Sequence, residues 1–130
     1  MSLLKPVSEK HTKGKIKKIF DEIKKTRKIS KIPNFWKTLA NDPNTLERTW
    51  KSLQQVMSNG SLDSFTKELI YVAVSMTNSC EYCIRSHTLA ARKKGMTEKM
   101  LKELIAVVGM ANETNRLVES YQVEVDKFLK

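Results

Sequence analysis

Both cysteines of the chain and one of its two histidines fall within a single short stretch, Cys80-Glu81-Tyr82-Cys83-Ile84-Arg85-Ser86-His87. On a helix starting near Ser79, Cys80 and Cys83 are i, i+3 neighbours and His87 stands i+4 from Cys83, so all three share one face. They can touch. The first turn of such a helix presents unpaired backbone N–H groups and the positive end of the macrodipole, which stabilise a thiolate and lower a cysteine pKa from its usual ~8.5. An imidazole one turn along adds a base, or a cation once protonated. This combination makes a reactive cysteine with a second thiol in reach.

Other chemistries use the same residue types. Cys80 and Cys83 would also serve as small core fillers, with His87 a surface residue of the helix, but that leaves the shared face unexplained. A zinc ion would take both thiolates and His87 yet needs a fourth ligand, and neither a second C-x-x-C nor a nearby second histidine exists. His11 lies far away in a Lys-rich segment, so a metal site is the weaker alternative and none is expected. A thioredoxin-type dithiol sits between a strand and a helix, and the chain lacks the alternating strand and helix pattern of that fold. The dithiol chemistry survives without it.

The elements that must position these residues read as helices. Ile16, Ile19, Phe20 and Ile23 form the i, i+3, i+4, i+7 stripe of an amphipathic helix. After Ile32-Pro33, residues 34–40 form a short helix with Phe35, Trp36 and Leu39 inward; a third helix from Asn44 carries Leu46, Trp50, Leu53, Val56 and Met57 up to Asn59-Gly60. Ser61, Asp63 and Ser64 are candidate caps for residues 65–77, which are apolar almost all round after Glu68 and so belong in the middle of the fold. Ile70, Tyr71, Val72 and Val74 also suit a buried strand, but about 13 residues without Gly or Pro exceed a usual strand and no other segment offers a pairing partner. Helix is expected there. Asn78 or Ser79 caps the cysteine helix, which Gly95 ends; Thr97 caps the next, with Met100, Leu101, Leu104, Ile105 and Val108 inward. A bend at Gly109 or residues 112–115 precedes a last helix carrying Leu117, Val118, Tyr121, Val125, Phe128 and Leu129. The expectation is one all-α domain of about six or seven helices spanning residues 1–130.

Composition bounds the function. At 130 residues, 40% hydrophobic and 29% charged, the chain suits one compact domain that needs no disulfide stapling. The longest apolar runs, Leu69 to Val74 and Leu104 to Val108, fall far short of a bilayer span. No apolar secretory segment follows Met1, so a cytoplasmic location is expected, where thiols stay reduced. The net charge of +10 is lopsided: residues 1–31 carry eleven Lys/Arg against three acids, leaving residues 32–130 nearly neutral. Residues 1–31 are therefore read as a basic amphipathic helix whose lysines are its solvated face, and residues 32–130 as the core. A nucleic-acid role is disfavoured, because no aromatic RNA-binding pattern or zinc-finger spacing accompanies the charge.

With these residues in view, the chain resembles the alkylhydroperoxidase D-like branch of the carboxymuconolactone decarboxylase superfamily. The family pattern is Glu, eleven residues, then C-x-x-C-x-x-x-H, and here Glu68, Cys80, Cys83 and His87 fall at that spacing. Residues 33–43 and the Ala-rich, Gly-stopped stretch after His87 look like the same family, and the resemblance covers roughly residues 30–125. It implies an all-helical fold assembling as trimers or hexamers and a thiol peroxidase activity with no metal, haem or other cofactor. Cys83 would be the peroxidatic cysteine, Cys80 the resolving one, and His87 with Glu68 the proton relay. Glu68 lies on another helix, so its link to His87 rests on the resemblance alone. The decarboxylases that name the superfamily lack the C-x-x-C pair, which argues against lactone decarboxylation here. Hydroperoxide would be the substrate, and a lipoyl-bearing or thioredoxin-like dithiol would reduce the resulting disulfide. A redox-sensing or disulfide-exchange protein using the same pair is the alternative function.

Overall fold

The computed structural model describes residues 2–130 and is all-α, with no strand among the described residues. Its six helices are α1 (Gly14–Arg27), α2 (Asn34–Leu39), α3 (Pro43–Met57), α4 (Ser64–Thr77), α5 (Glu81–Lys93) and α6 (Glu98–Ser120), with short 3-10 turns at Glu9–His11 and Lys127–Leu129. The described chain divides into two compact units, residues 2–58 and residues 59–130.

In the first unit, the stripe that makes α1 amphipathic is its inner face. Ile19, Phe20 and Ile23 are buried together with Ile32, Trp36, Ala40, Leu46 and Trp50, drawing α1, α2 and α3 onto one core. Trp36 and Trp50 meet edge to face at 5.4 Å, with the Arg27 guanidinium over both rings. The Trp50 indole N–H donates to Glu22 Oε2, satisfying the one polar atom of a ring that is otherwise buried. Lys17 and Lys24 on the outer side of α1 pair with Asp21 and Glu9.

The second unit holds α4, α5 and α6. Asp63 caps α4 by accepting from the Thr66 amide, and Thr97 caps α6 by accepting from the Met100 amide, as their positions in the sequence suggest. The 65–77 stretch is helical, but its expected all-round burial does not occur. Glu68, Val72 and Ser75 form its buried side, whereas Ile70 and Val74 are half exposed. The inner stripe expected on α6 is likewise only half buried, with Ile105 and Met100 exposed.

The separate last helix expected after a bend does not form, because α6 runs unbroken from Glu98 to Ser120. One glycine costs a helix about 1 kcal/mol, too little to break a segment this long. The Asn112 amide donates to the Val108 carbonyl and to Thr77 Oγ1, and the Thr114 hydroxyl donates to the Ala111 carbonyl, so both side chains bond back onto helical turns. The helix stops at Tyr121, and Val125 lies in irregular chain before the 3-10 turn that carries Phe128 and Leu129. No helix among the described residues is long and apolar enough to cross a membrane.

Candidate active site

α5 begins one residue later than the sequence suggests, and the cap is a cysteine. Asn78 closes α4, Ser79 takes a left-handed turn (φ 55°), and Cys80 becomes the N-cap of α5, its Sγ accepting the Cys83 backbone N–H at 3.4 Å. A sulfur at this position receives the field of the helix N-terminus and one of its orphan amides. Both cysteines are free thiols and half-buried.

The two thiols are not equivalent. Hydrogen bonds from the Cys83 side chain and then from the Cys83 backbone hold Cys80 below the ordinary thiol value. The bond to Cys80, burial and the Cys80 charge together push Cys83 up to about 11. Of the two thiols Cys80 is therefore the easier to ionise, with the Cys83 S–H donating to it.

Two turns into α5, His87 Nδ1 lies 2.7 Å from Glu68 Oε2 on α4. The expected link between these residues, which helical spacing alone does not show, is thus made across the α4/α5 contact. Glu68 is almost fully buried. Burial pushes its carboxyl up, but the hydrogen bond and charge of His87, with those of Lys94, outweigh that and hold it below the ordinary carboxylate value. As a carboxylate it can only accept, so His87 Nδ1 carries the proton and Nε2 is the nitrogen left for proton transfer.

Two neighbours complete the arrangement, and sequence reasoning passed over both. Lys94 Nζ donates to Glu68 Oε1 at 3.2 Å, so each carboxylate oxygen has a cationic or N–H partner. The turn after α5 brings it there: the Gly95 backbone, at φ 111°, bonds back to Arg92, and the Met96 amide bonds to Ala91. Tyr71 stacks face to face on His87, with ring centroids 3.5 Å apart and planes 20° from parallel. The available signal was position. Tyr71 is i+3 from Glu68 and shares its helix face, whereas Lys94 lies just past the end of α5.

The carboxymuconolactone decarboxylase family model matches residues 43–123. The chain belongs to the carboxymuconolactone decarboxylase family. A crystal structure of an alkylhydroperoxidase AhpD core from Rhodospirillum rubrum is 45% identical, with a TM-score of 0.94 over all of this chain and 98% of that one. That likeness takes in the basic first helix, which precedes the family match. Among curated relatives, an alkyl hydroperoxide reductase of Mycobacterium tuberculosis is 22% identical over 112 residues, covering 86% of this chain and 32% of the relative. Uncharacterized protein 4 in the cox locus of Paracoccus denitrificans is 42% identical over 52 residues, 40% of this chain and 47% of the relative. The chain thus spans about half the length of one of these curated relatives and about a third of the other.

Proposed function

We propose that the chain is a thiol-dependent hydroperoxidase that reduces hydroperoxides with the Cys80/Cys83 pair and a His87/Glu68 proton relay. The observation that carries this reading is the coincidence, on α5, of two thiols joined through the helix N-cap with a histidine whose Nδ1 is tied to a buried carboxylate. The solved AhpD core and the mycobacterial reductase support it by likeness. In the proposed cycle the proton of the Cys83 S–H moves to the His87 side of the site, and the Cys83 sulfur attacks the terminal oxygen of the hydroperoxide. The O–O bond breaks, the departing oxygen is protonated through His87, and Cys83 becomes a sulfenic acid. Cys80, the N-cap sulfur, then displaces water to form the Cys80–Cys83 disulfide.

An external dithiol returns the pair to its reduced state by exchange, and a lipoyl-bearing or thioredoxin-like reductant fits that step. The cycle uses no metal or other cofactor. A reducing compartment such as the cytoplasm would keep the resting pair as thiols. A homo-oligomer, trimer or hexamer, would cover the apolar side chains that the second unit leaves open, among them Ile70, Val74, Leu117 and Val118. The basic face of α1 is read as solvating rather than as a nucleic-acid surface.

A second reading is favoured by one observation. Cys80 is held below the ordinary thiol value while Cys83 is pushed up to about 11, a disposition that suits disulfide exchange or redox sensing initiated at Cys80. Peroxide consumption by the purified protein with a panel of dithiol reductants, alongside a thiol count before and after one equivalent of peroxide, separates the two. Catalytic turnover with loss of two thiols per chain supports the hydroperoxidase. Disulfide exchange without peroxide turnover overturns it.

A further inference from the structure

Tyr71 touches the proposed machinery without belonging to the four-residue motif. Glu68 holds the His87 imidazole by its Nδ1 edge, and the Tyr71 ring holds it by one face, so the ring is fixed in both rotation and tilt. The phenol oxygen itself makes no hydrogen bond among the described residues, although the side chain is half-buried. The hydroxyl is not among the buried polar atoms left without a partner, so it reaches solvent and is open to a molecule bound beside His87. Burial pushes the Tyr71 hydroxyl up, and the negative charges of Cys83, Cys80 and Glu68 add to this. The hydroxyl therefore stays a protonated donor at neutral pH.

We infer that Tyr71 contacts the substrate, its hydroxyl donating a hydrogen bond to the hydroperoxide oxygen that departs on O–O cleavage while its ring holds His87 in place. The inference rests on the hydroperoxidase reading. In the step concerned, the Cys83 sulfur forms a bond to the terminal oxygen of R–O–O–H and the O–O bond breaks. The R–O oxygen leaves with the electron pair and takes from His87 the proton that Cys83 gave up. Sulfur is oxidised by two electrons to S–OH, and the peroxide is reduced to R–OH. Tyr71 keeps its own proton throughout and stabilises the charge building on R–O, as a fixed donor in an oxyanion site does.

The test compares the full chain with Tyr71→Phe, which retains the ring on His87 and removes only the hydroxyl. Cumene hydroperoxide and hydrogen peroxide serve as substrates with dithiothreitol as reductant, and iodoacetamide alkylation across a pH series reports thiol reactivity without any leaving R–O oxygen. The expected result is a fall of about 10²-fold in kcat/KM for both peroxides, the scale of one lost oxyanion donor. Alkylation rate and its pH profile stay unchanged. Tyr71→Leu, which also loses the ring, is expected to move the pH profile of peroxide consumption as well. Peroxide reduction by Tyr71→Phe at the unsubstituted rate overturns the inference, as does an equal fall in alkylation, which would place Tyr71 in thiol activation. Absence of turnover in the unsubstituted chain sinks the hydroperoxidase reading and this inference together, an outcome distinct from normal turnover in both proteins.

Discussion

His87 on α5 and Glu68 on α4 meet through a 2.7 Å hydrogen bond from Nδ1 to a carboxylate that is almost fully buried. Nineteen residues separate them in sequence, so the bond depends on how the two helices pack and on a carboxyl that stays ionised although it is shielded from water. Removing that charge should therefore be felt both in the site and in the fold.

Glu68→Gln is expected to lower the rate of Cys83 oxidation by about 10- to 100-fold, at the lower end of what proton-transfer groups contribute, because Glu68 acts through His87. It should also destabilise the protein by about 1–3 kcal/mol near neutral pH, since Lys94 and His87 lose a charged acceptor. A carboxyl held below its unfolded value stabilises the fold above that value and ceases to do so as the pH falls through its folded value. The stability gap between the two proteins should accordingly close on acidification through the carboxylate range. Urea denaturation at a series of pH values measures it, and a gap that persists or widens toward acid contradicts the account.

The two cysteines should separate cleanly. Cys83→Ser is expected to abolish peroxide consumption, whereas Cys80→Ser reacts once and accumulates a sulfenic acid that dimedone traps. The structure adds a titration to that test. The bond to Cys80 is the main cause of the raised Cys83 value, and serine carries no charge there, so Cys83 in Cys80→Ser should titrate below about 11. Thiolate absorbance against pH reads this directly. Single-turnover reactivity in Cys83→Ser but not in Cys80→Ser would exchange the two roles.

Local patterns were legible in the sequence where local forces decide. The α1 stripe, the Asp63 and Thr97 caps and the Gly95 stop depend on neighbours within a turn or two, and each is found where expected. The extent of α6 was not legible, because whether Gly109 and Asn112 interrupt a helix depends on partners: Asn112 bonds back to Val108 and across to Thr77 on α4. Burial on α4 was misjudged for a similar reason. Counting apolar residues cannot show that the face turned inward is the one carrying Glu68, whose charge is satisfied by two groups on another segment. Motif spacing singles out Glu68, Cys80, Cys83 and His87 as candidates but not Tyr71 or Lys94, since stacking and a turn-borne ammonium leave no fixed spacing to the cysteines.

The purified protein should contain well under one metal ion per chain. Glu68 spends both oxygens on Lys94 and His87, His87 spends Nδ1 on Glu68, and Cys80 accepts an amide, so a metal would have to break these bonds to gain its ligands. Elemental analysis checks this. About one zinc per chain, with loss of helicity on chelation, would make the site structural instead.

Self-association should depend on the apolar residues left exposed in the second unit. Light scattering at micromolar concentration is expected to show an oligomer of the intact chain. Val74→Glu or Val118→Glu, each at a half-exposed position, should shift it toward smaller species with little loss of helicity. A monomer for the unsubstituted chain contradicts the proposal.

The last prediction concerns α1, whose two sides should respond in opposite ways. Ile19 is buried against the tryptophan core of the first unit, so Ile19→Asp places an unpaired charge there and should cost more than about 3 kcal/mol. Lys17 is well exposed and its ion pair is with Asp21 one turn away, so Lys17→Glu should change stability by less than about 1 kcal/mol. Lys24 differs from Lys17 because its partner Glu9 also accepts the Ile32 amide, tying the segment before α1 to the one before α2. Lys24→Glu should therefore cost more than Lys17→Glu while remaining well below Ile19→Asp. Urea midpoints for the three variants rank them, and a fluorescent duplex titrated at several salt concentrations tests the other use of the basic face. Equal midpoints for Ile19→Asp and Lys17→Glu would refute the packing argument. Duplex binding that persists at physiological ionic strength and disappears in the doubly charge-reversed protein would make the lysines a nucleic-acid surface.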